Sequence, residues 1–196
     1  MCIITVLSNC AYALIAPFLP IELVRIGVPV ELFGYIFSMY SVAVIICSPF
    51  IGYFLTKVKR RNFVQFGLFS MSIAMFGFAL ASNASTNSGF LITAFITRFI
   101  QGFASSSIQT TCFTISGLLY KENQAAVIGY LEMSAGIGMT IAPVLGSILY
   151  NLYGYNAPFI FFGSLSLIFS VLVKFFLPYK VDLRGEVDEE IFSVRS

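Results

Sequence analysis

Residues 90–110 read FLITAFITRFIQGFASSSIQT, an apolar run that carries one arginine, Arg98, inside it. A helix rises 1.5 Å per residue, so about 20 residues span the roughly 30 Å of a bilayer's hydrocarbon core, and this run has that length. A charged side chain at such a depth costs roughly 2.5–3.5 kcal/mol on insertion scales, so it usually faces water or a partner and marks a functional site. The run therefore predicts a membrane-spanning helix with a functional residue in it.

The whole chain has the composition of a membrane protein. Of its 196 residues, 58% are hydrophobic and only 10% are charged, and the mean hydropathy is +0.91, whereas a soluble domain of this length would need more charge on its surface. Backbone groups in lipid must be satisfied within their own segment, and period-two alternation is absent, so each apolar run is expected to be a helix. Six such runs are found, at residues 2–21, 32–56, 63–82, 90–112, 125–150 and 158–177.

The predicted fold is an all-α membrane protein with six transmembrane helices, a bundle over residues 1–178 and a hydrophilic cytoplasmic tail over residues 179–196. Basic residues lie on one side of this arrangement, with Arg25 alone on the other. The positive-inside rule then places both termini in the cytoplasm and the possible glycosylation sequence Asn83-Ala84-Ser85 on the opposite side. The basic residues on the first side are Lys57, Lys59, Arg60, Arg61, Lys121, Lys174, Lys180, Arg184 and Arg195.

Two short patterns recur at nearly the same offset. SPFIG at residues 48–52 returns as APVLG at residues 142–146, and FVQFG at residues 63–67 returns as FIFFG at residues 159–163. Helices 1–3 and 4–6 are therefore predicted to be copies, although chance similarity is an alternative in a Phe-rich chain. A three-helix unit followed by its copy places the copy upside down, and such inverted repeats build sites that open to either side in turn.

Arg98 and Glu132 are the two ionisable residues predicted to lie deep within the spans. Counted from the predicted helix ends at 1.5 Å per residue, Arg98 is roughly 12 Å below one boundary and Glu132 roughly 10 Å above the other. A water or a substrate is expected to bridge them more easily than a direct contact, both facing a wet passage; alternatively, Arg98 reaches the nearby interface. Polar neighbours, Gln101 on the same helix and Asn9 and Tyr12 on the first, are further candidates for binding substrate or protons.

The fifth predicted helix carries a stripe of small residues. Ser134, Gly138, Ala142 and Gly146 are spaced by four, so another backbone can approach closely on that face. Pro143 removes a backbone hydrogen bond and favours a kink. Plain helix packing and a hinge beside a site both remain open as interpretations.

Other classes of function are disfavoured. The chain has no His, its four Cys are scattered through predicted helices, and no Ser has a plausible base, so a metal site, a disulfide and intramembrane hydrolysis are not expected. A Walker-type loop is also lacking, so ATP-driven pumping by this chain is not expected. No cofactor and no nucleic-acid partner are predicted; small solutes and membrane lipid are.

Three stretches resemble motifs of the amino-terminal half of the major facilitator superfamily. Arg98 to Gly102 is similar to its R-x-x-Q-G pattern, in which the resemblance implies a role for the Arg in proton transfer, and Gly138 to Ser147 is similar to its antiporter pattern G-x-x-x-G-P-x-x-G-G, with Ala142 and Ser147 in place of two glycines. Gly52 to Arg61 stands where the loop signature G-x-x-x-D-x-x-G-R-[RK] belongs. There Thr56 replaces the Asp and Lys59 the second Gly, while Arg60 and Arg61 keep the basic end.

Finer features resemble the vesicular amine and polyamine transporters, a branch of the drug:proton antiporters. They are APFLP at residues 16–20, LEMSAGIG at residues 131–138 and GYNAPF at residues 154–159. The resemblance implies proton-coupled antiport of a small organic cation such as an amine, a polyamine or a drug. Glu132 is then a candidate partner for its ammonium group, in a vesicular or a plasma membrane.

Members of this superfamily normally have two six-helix halves, with the substrate site between them. This chain supplies one. An incomplete gene product, a half that pairs with itself or with a second half, and a truncated regulator all remain open. The alternative to a transporter is therefore a non-transporting fragment or an assembly partner of a larger transporter.

Overall fold

The computed structural model describes residues 1–25, 27–29, 31–81 and 87–177. Within these ranges the chain forms α1 Cys2–Arg25, α2 Glu31–Phe54, α3 Arg60–Ala81, α4 Asn87–Leu119, α5 Gln124–Tyr153 and α6 Asn156–Phe176. All six helices are long and apolar enough to span a membrane, which confirms the predicted fold of a multi-pass all-α protein. The possible glycosylation sequence at residues 83–85 and the tail at residues 179–196 lie outside the described residues.

The helix ends differ most from the prediction in α4, which begins at Asn87 and ends at Leu119 instead of spanning residues 90–112. The added C-terminal residues 113–119 read FTISGLL, and the hydroxyls of Thr114 and Ser116 donate to the carbonyls of Thr110 and Cys112 within α4. Helix α4 has 33 residues, which is longer than the length of about 20 residues that a hydrocarbon core requires.

The first predicted helix, residues 2–21, ends too early. Helix α1 continues to Arg25, and Glu22 lies in its last turns with only 5% of its surface exposed. Pro17 and Pro20 both lie inside α1, so neither of them ends the helix. Glu22 is therefore a buried ionisable side chain that was not among the candidates taken from the sequence.

Helix packing places α3 between α4 and α6, while α1 packs against α5 and α2 packs against α4. The first helix of each predicted repeat thus packs against the second helix of the other, which is the relation expected of exchanged copies. Helices α2 and α5 each have one mainly exposed face, with apolar side chains such as Ile45 and Val144 on it. Of the six described helices, α2 and α5 are the least buried.

The stripe of small residues on α5 forms its contact with α1. Ser134, Gly138, Ala142 and Gly146 are all buried. A Cβ atom added at Gly138 would lie 2.5 Å from the carbonyl oxygen of Val6, and the Cys10 thiol donates to the carbonyl of Gly138 over 3.3 Å. Close helix packing therefore accounts for the stripe, and Pro143 lies inside the uninterrupted helix α5.

Candidate functional site

Arg98 lies on α4 and is enclosed by protein, with 1% of its surface exposed. Its guanidinium carbon is 4.5 Å from the centre of the Phe37 ring on α2 and 5.9 Å from the centre of the Phe78 ring on α3. The negative faces of aromatic rings attract a cation, and more strongly where water is excluded. Groups from three helices therefore hold the charge inside the bundle.

The Arg98 guanidinium has few polar partners for a buried charge. Its Nη1 donates to Oε1 of Gln101 over 3.0 Å, while its Nε is buried and has no hydrogen-bond partner among the described residues. Within the same part of the chain, no carboxylate lies at ion-pair distance from it. A guanidinium keeps its charge in proteins and has five N–H donors, so Arg98 retains donors for a water or a solute.

Gln101 connects the charged group to the first helix. It is fully buried, and its Nε2 donates to the main-chain carbonyl of Ala11 on α1 over 2.9 Å. Its carbonyl oxygen is thereby oriented towards Arg98, because the two ends of the amide are used by different helices. A shift of α1 against α4 would consequently change the environment of the guanidinium.

A second group of polar contacts continues from α1 to α2. The rings of Tyr12 and Tyr40 lie 4.5 Å apart, and the Tyr40 hydroxyl donates to Oγ of Ser105 on α4 over 2.7 Å. Tyr12 is half-buried. We refer to Tyr12, Tyr40, Arg98, Gln101 and Ser105 as the polar cluster.

The remaining candidates on these helices have local roles. Asn9 is buried, and its amide donates to the carbonyl of Thr5 within α1 over 2.9 Å. Ser48 and Ser106 share a hydrogen bond of 2.9 Å that joins α2 to α4. These hydrogen bonds thus stabilise α1 itself and the contact between α2 and α4. Polar groups of α1, α2 and α4 meet in the polar cluster around Arg98.

Glu132 lies on another surface. It is exposed on α5, whereas its neighbours Leu131, Ser134 and Ala135 are buried. The buried face of α5 packs on α1, so the carboxylate points to the unpaired face of that helix. The structure does not bring Glu132 into contact with Arg98, and their bridging by water or substrate stays a prediction.

The loop motif residues lie at the start of α3. Arg60 and Arg61 form the first positions of that helix, and Gly52 precedes the end of α2. A Cβ atom at Gly52 would meet nothing within 4 Å, so close packing does not require glycine there. The role of Gly52, Arg60 and Arg61 in the transport cycle stays a prediction.

Sequence reasoning missed three residues that matter to these environments. Phe37 and Tyr40 had no distinguishing signal among 22 Phe and 10 Tyr. Glu22 was assigned to a loop, although its acidic type next to a helix end is a signal in itself. The Glu22 carboxylate pairs with the largely exposed Arg25 over 3.3 Å. Burial of the Tyr155 phenol raises its pKa above the usual range, and the negative charge of Glu22 makes a smaller contribution in the same direction.

The sequence profile of the Major Facilitator Superfamily matches residues 1–192. The chain belongs to this superfamily of multi-pass membrane proteins, which confirms the resemblance drawn from its motifs.

Individual relatives agree with this assignment. The chain is 27% identical over 167 residues to the MFS-type transporter SLC18B1 of Mus musculus, which covers 85% of this chain and 36% of that protein. It is 27% identical over 171 residues to a multi-drug resistance efflux pump PmrA homolog of Lactococcus lactis, covering 85% and 40%. It is 29% identical over 142 residues to the vesicular acetylcholine transporter unc-17 of Caenorhabditis elegans, covering 71% and 25%. The chain thus spans 40% or less of the length of these relatives.

Proposed function

We propose that this bundle is one half of a secondary active transporter that exchanges protons for a small organic cation, such as an amine, a polyamine or a drug. The observation that carries the proposal is the charge of Arg98, held at 1% exposure without a carboxylate at ion-pair distance in the described part of the chain. An uncompensated buried charge destabilises a helix bundle, so its presence indicates a functional role.

Proton coupling requires a group that changes protonation. Arg98 keeps its charge, so it acts as a fixed positive charge and not as the proton carrier. Glu132 is a carboxyl group on the unpaired face of α5, and a carboxylate binds either a proton or an ammonium group at one time. Mutually exclusive occupancy of Glu132, together with a passage that opens to the two sides in turn, would couple proton movement in one direction to cation movement in the other.

Arg98 then has two roles in this mechanism. Its positive field favours the ionised form of a nearby carboxyl group and repels a cation that enters too far. Through Gln101 and the carbonyl of Ala11, a movement of α1 against α4 also changes how many of its donors are satisfied. We therefore assign Arg98 and Gln101, with Tyr12 on α1, to the lining of the passage. Asn9, whose amide donates within α1, stays a candidate from the sequence alone.

A partner that packs on this bundle is expected to form the other wall of the passage. Helices α2 and α5 carry unpaired apolar side chains, including Phe50 at 61% exposure and Val144 at 60%. We propose that a second six-helix half, or a second copy of this chain, packs there and encloses Glu132. We also propose that both termini, the α2–α3 connection and the α4–α5 connection face the cytoplasm, because the basic residues gather at that end.

The test is proton release in response to an added cation. The chain is reconstituted in vesicles with a trapped pH dye, with itself or with the carboxy-terminal six helices of a relative, and an acid interior is imposed. Addition of spermidine, acetylcholine or ethidium is expected to release protons from the vesicles. Glu132→Gln and Arg98→Ala should abolish the release, and Glu122→Gln, which removes a charge in the nearby α4–α5 connection, should retain it. A response that persists in both site variants would refute the proposal.

A non-transporting assembly partner is the second candidate, favoured by the same exposed faces of α2 and α5. It predicts that the chain binds a second half without conferring any cation response. Crosslinking between cysteines placed at Phe50 and Val144 and a second copy or half would detect that pairing. Pairing in the absence of proton release for every cation would favour this candidate.

A further inference from the structure

A groove of about 510 Å³ lies between α3 and α6, on a surface that the candidate site does not use. It is lined by Asn62, Gln65, Phe66 and Phe69 of α3 and by Ser170 of α6. Phe66 and Phe69 are 53% and 45% exposed, and the Ser170 hydroxyl donates to the carbonyl of Gln65 over 3.0 Å between the two helices. The groove is apolar along its length and contains polar groups where the helices touch.

Positive charge is concentrated at one end of this groove. Residues 57–61 read KVKRR, so four of the five are basic and none is acidic, and the first turn of α3 contains no acidic residue. Lys174 lies in the last turn of α6, one helical turn beyond Ser170, and is exposed. Because Ser170 contacts Gln65 in an antiparallel pair, Lys174 stands opposite the start of α3. The helix dipole adds further positive potential at that start.

We propose that this α3–α6 groove binds an anionic phospholipid, with one acyl chain along Phe66 and Phe69 and the phosphate at the basic end beside Lys174. An apolar groove that opens on a membrane-spanning surface is filled by a lipid chain in any bilayer. The basic end selects which lipid fills it, since each Lys or Arg near an anionic surface favours binding by about fivefold. The choice of an anionic phospholipid thus follows from charge complementarity.

The chain contains no Trp, so a single reporter can be placed in the groove. Phe66→Trp puts it six residues into α3 at a position that is 53% exposed, and Tyr130→Trp puts a matched reporter six residues into α5 at a position that is 61% exposed. Each full-length variant is reconstituted in phosphatidylcholine vesicles that contain brominated phosphatidylglycerol or, at the same mole fraction, brominated phosphatidylcholine. Bromine quenches Trp fluorescence only on contact.

At the groove reporter, brominated phosphatidylglycerol is expected to quench several-fold more than brominated phosphatidylcholine, and at the α5 reporter equally. Lys174→Gln in the groove-reporter background should reduce that preference by about fivefold. Lys121→Gln, which removes a basic residue from the α4–α5 connection, should leave it unchanged. Circular dichroism of each variant checks that the helices are retained.

Equal quenching by the two lipids at the groove reporter would overturn the proposal. An equal reduction of the lipid preference by Lys174→Gln and by Lys121→Gln would also overturn the proposal, because the preference would then reflect the overall charge of the protein. A chain that ends at residue 178 provides the third arm, because residues 179–196 carry five acidic and three basic residues. A lipid preference found only after their removal would show that the acidic tail occupies the basic end, and would also overturn it.

Discussion

The side-chain amide of Gln101 on α4 donates to the main-chain carbonyl of Ala11 on α1 over 2.9 Å, and its carbonyl oxygen accepts from Arg98 over 3.0 Å. One amide thus joins a buried charge to a helix that lies 90 residues away in the sequence. The donor and acceptor of an amide cannot be exchanged without losing both bonds. The orientation of Gln101, and with it the environment of Arg98, is fixed by the position of α1.

Gln101→Leu is expected to destabilise the bundle by about 1–3 kcal/mol, because it leaves a buried guanidinium and a buried carbonyl without these partners. Thermal unfolding in detergent, followed by circular dichroism, measures the change. Gln109→Leu is the control, since Gln109 lies two turns further along the same helix and is only half-buried. Equal effects of the two substitutions would show that the amide of Gln101 does not hold Arg98.

Gly138→Ala should also destabilise the bundle, by about 1–3 kcal/mol, because the added methyl group would lie 2.5 Å from the carbonyl oxygen of Val6 and push α1 from α5. Gly136→Ala on the same helix is the matched control: it is exposed, and a Cβ atom there meets nothing within 4 Å. Since alanine favours a helix by about 1 kcal/mol over glycine, the control should be neutral or stabilising. Thermal unfolding compares the pair, and a stable Gly138→Ala variant would argue against close α1–α5 packing.

The hydrogen bond from Tyr40 to Ser105 can be measured with a double-mutant cycle. Tyr40→Phe keeps the ring next to Tyr12, and Ser105→Ala removes the acceptor, so the coupling isolates one bond of 2.7 Å between α2 and α4. We expect a coupling free energy of roughly 0.5–1.5 kcal/mol, as for other hydrogen bonds between membrane helices. Denaturant unfolding in detergent supplies the four stabilities, and strictly additive effects would mean that the bond is absent.

Replacing the buried Glu22 is predicted to cost less stability than replacing the exposed Glu31. Glu22→Gln should cost little or be stabilising, because its carboxylate is buried while its partner Arg25 is 75% exposed, and pairs with an exposed member contribute little. Glu31→Gln should cost roughly 0.3–1 kcal/mol, because it removes an exposed negative charge from the first turn of α2. A larger loss for Glu22→Gln in thermal unfolding would reveal a further partner of that carboxylate.

The sequence was sufficient for the six helices, because hydropathy is a local property of the chain. The cost of a charge in lipid also singled out Arg98, which the structure shows to be buried, while its role in binding stays a prediction. The sequence did not predict that α1 runs on past Pro20 and Glu22, since a helix continues wherever neighbouring helices cover its polar residues. It also did not predict Ala11 as the partner of Gln101 or Phe37 as a neighbour of Arg98. A main-chain carbonyl and one Phe among 22 have no sequence signal, and only the packing of α1 and α2 on α4 brings them there.

The central claim is that Glu132 faces a wet passage once the partner half is in place. The most direct measurement is the reaction of Glu132→Cys with a membrane-impermeant, positively charged thiol reagent, in a background whose four native cysteines are replaced by alanine. The variant is reconstituted in vesicles with the carboxy-terminal six helices of a relative or with a second copy of itself. Phe161→Cys on α6, at a position that is 47% exposed, is the lipid-facing control. We expect the thiol at position 132 to react, an organic cation to slow the reaction and the control thiol not to react. A thiol at position 132 as unreactive as the control would contradict it.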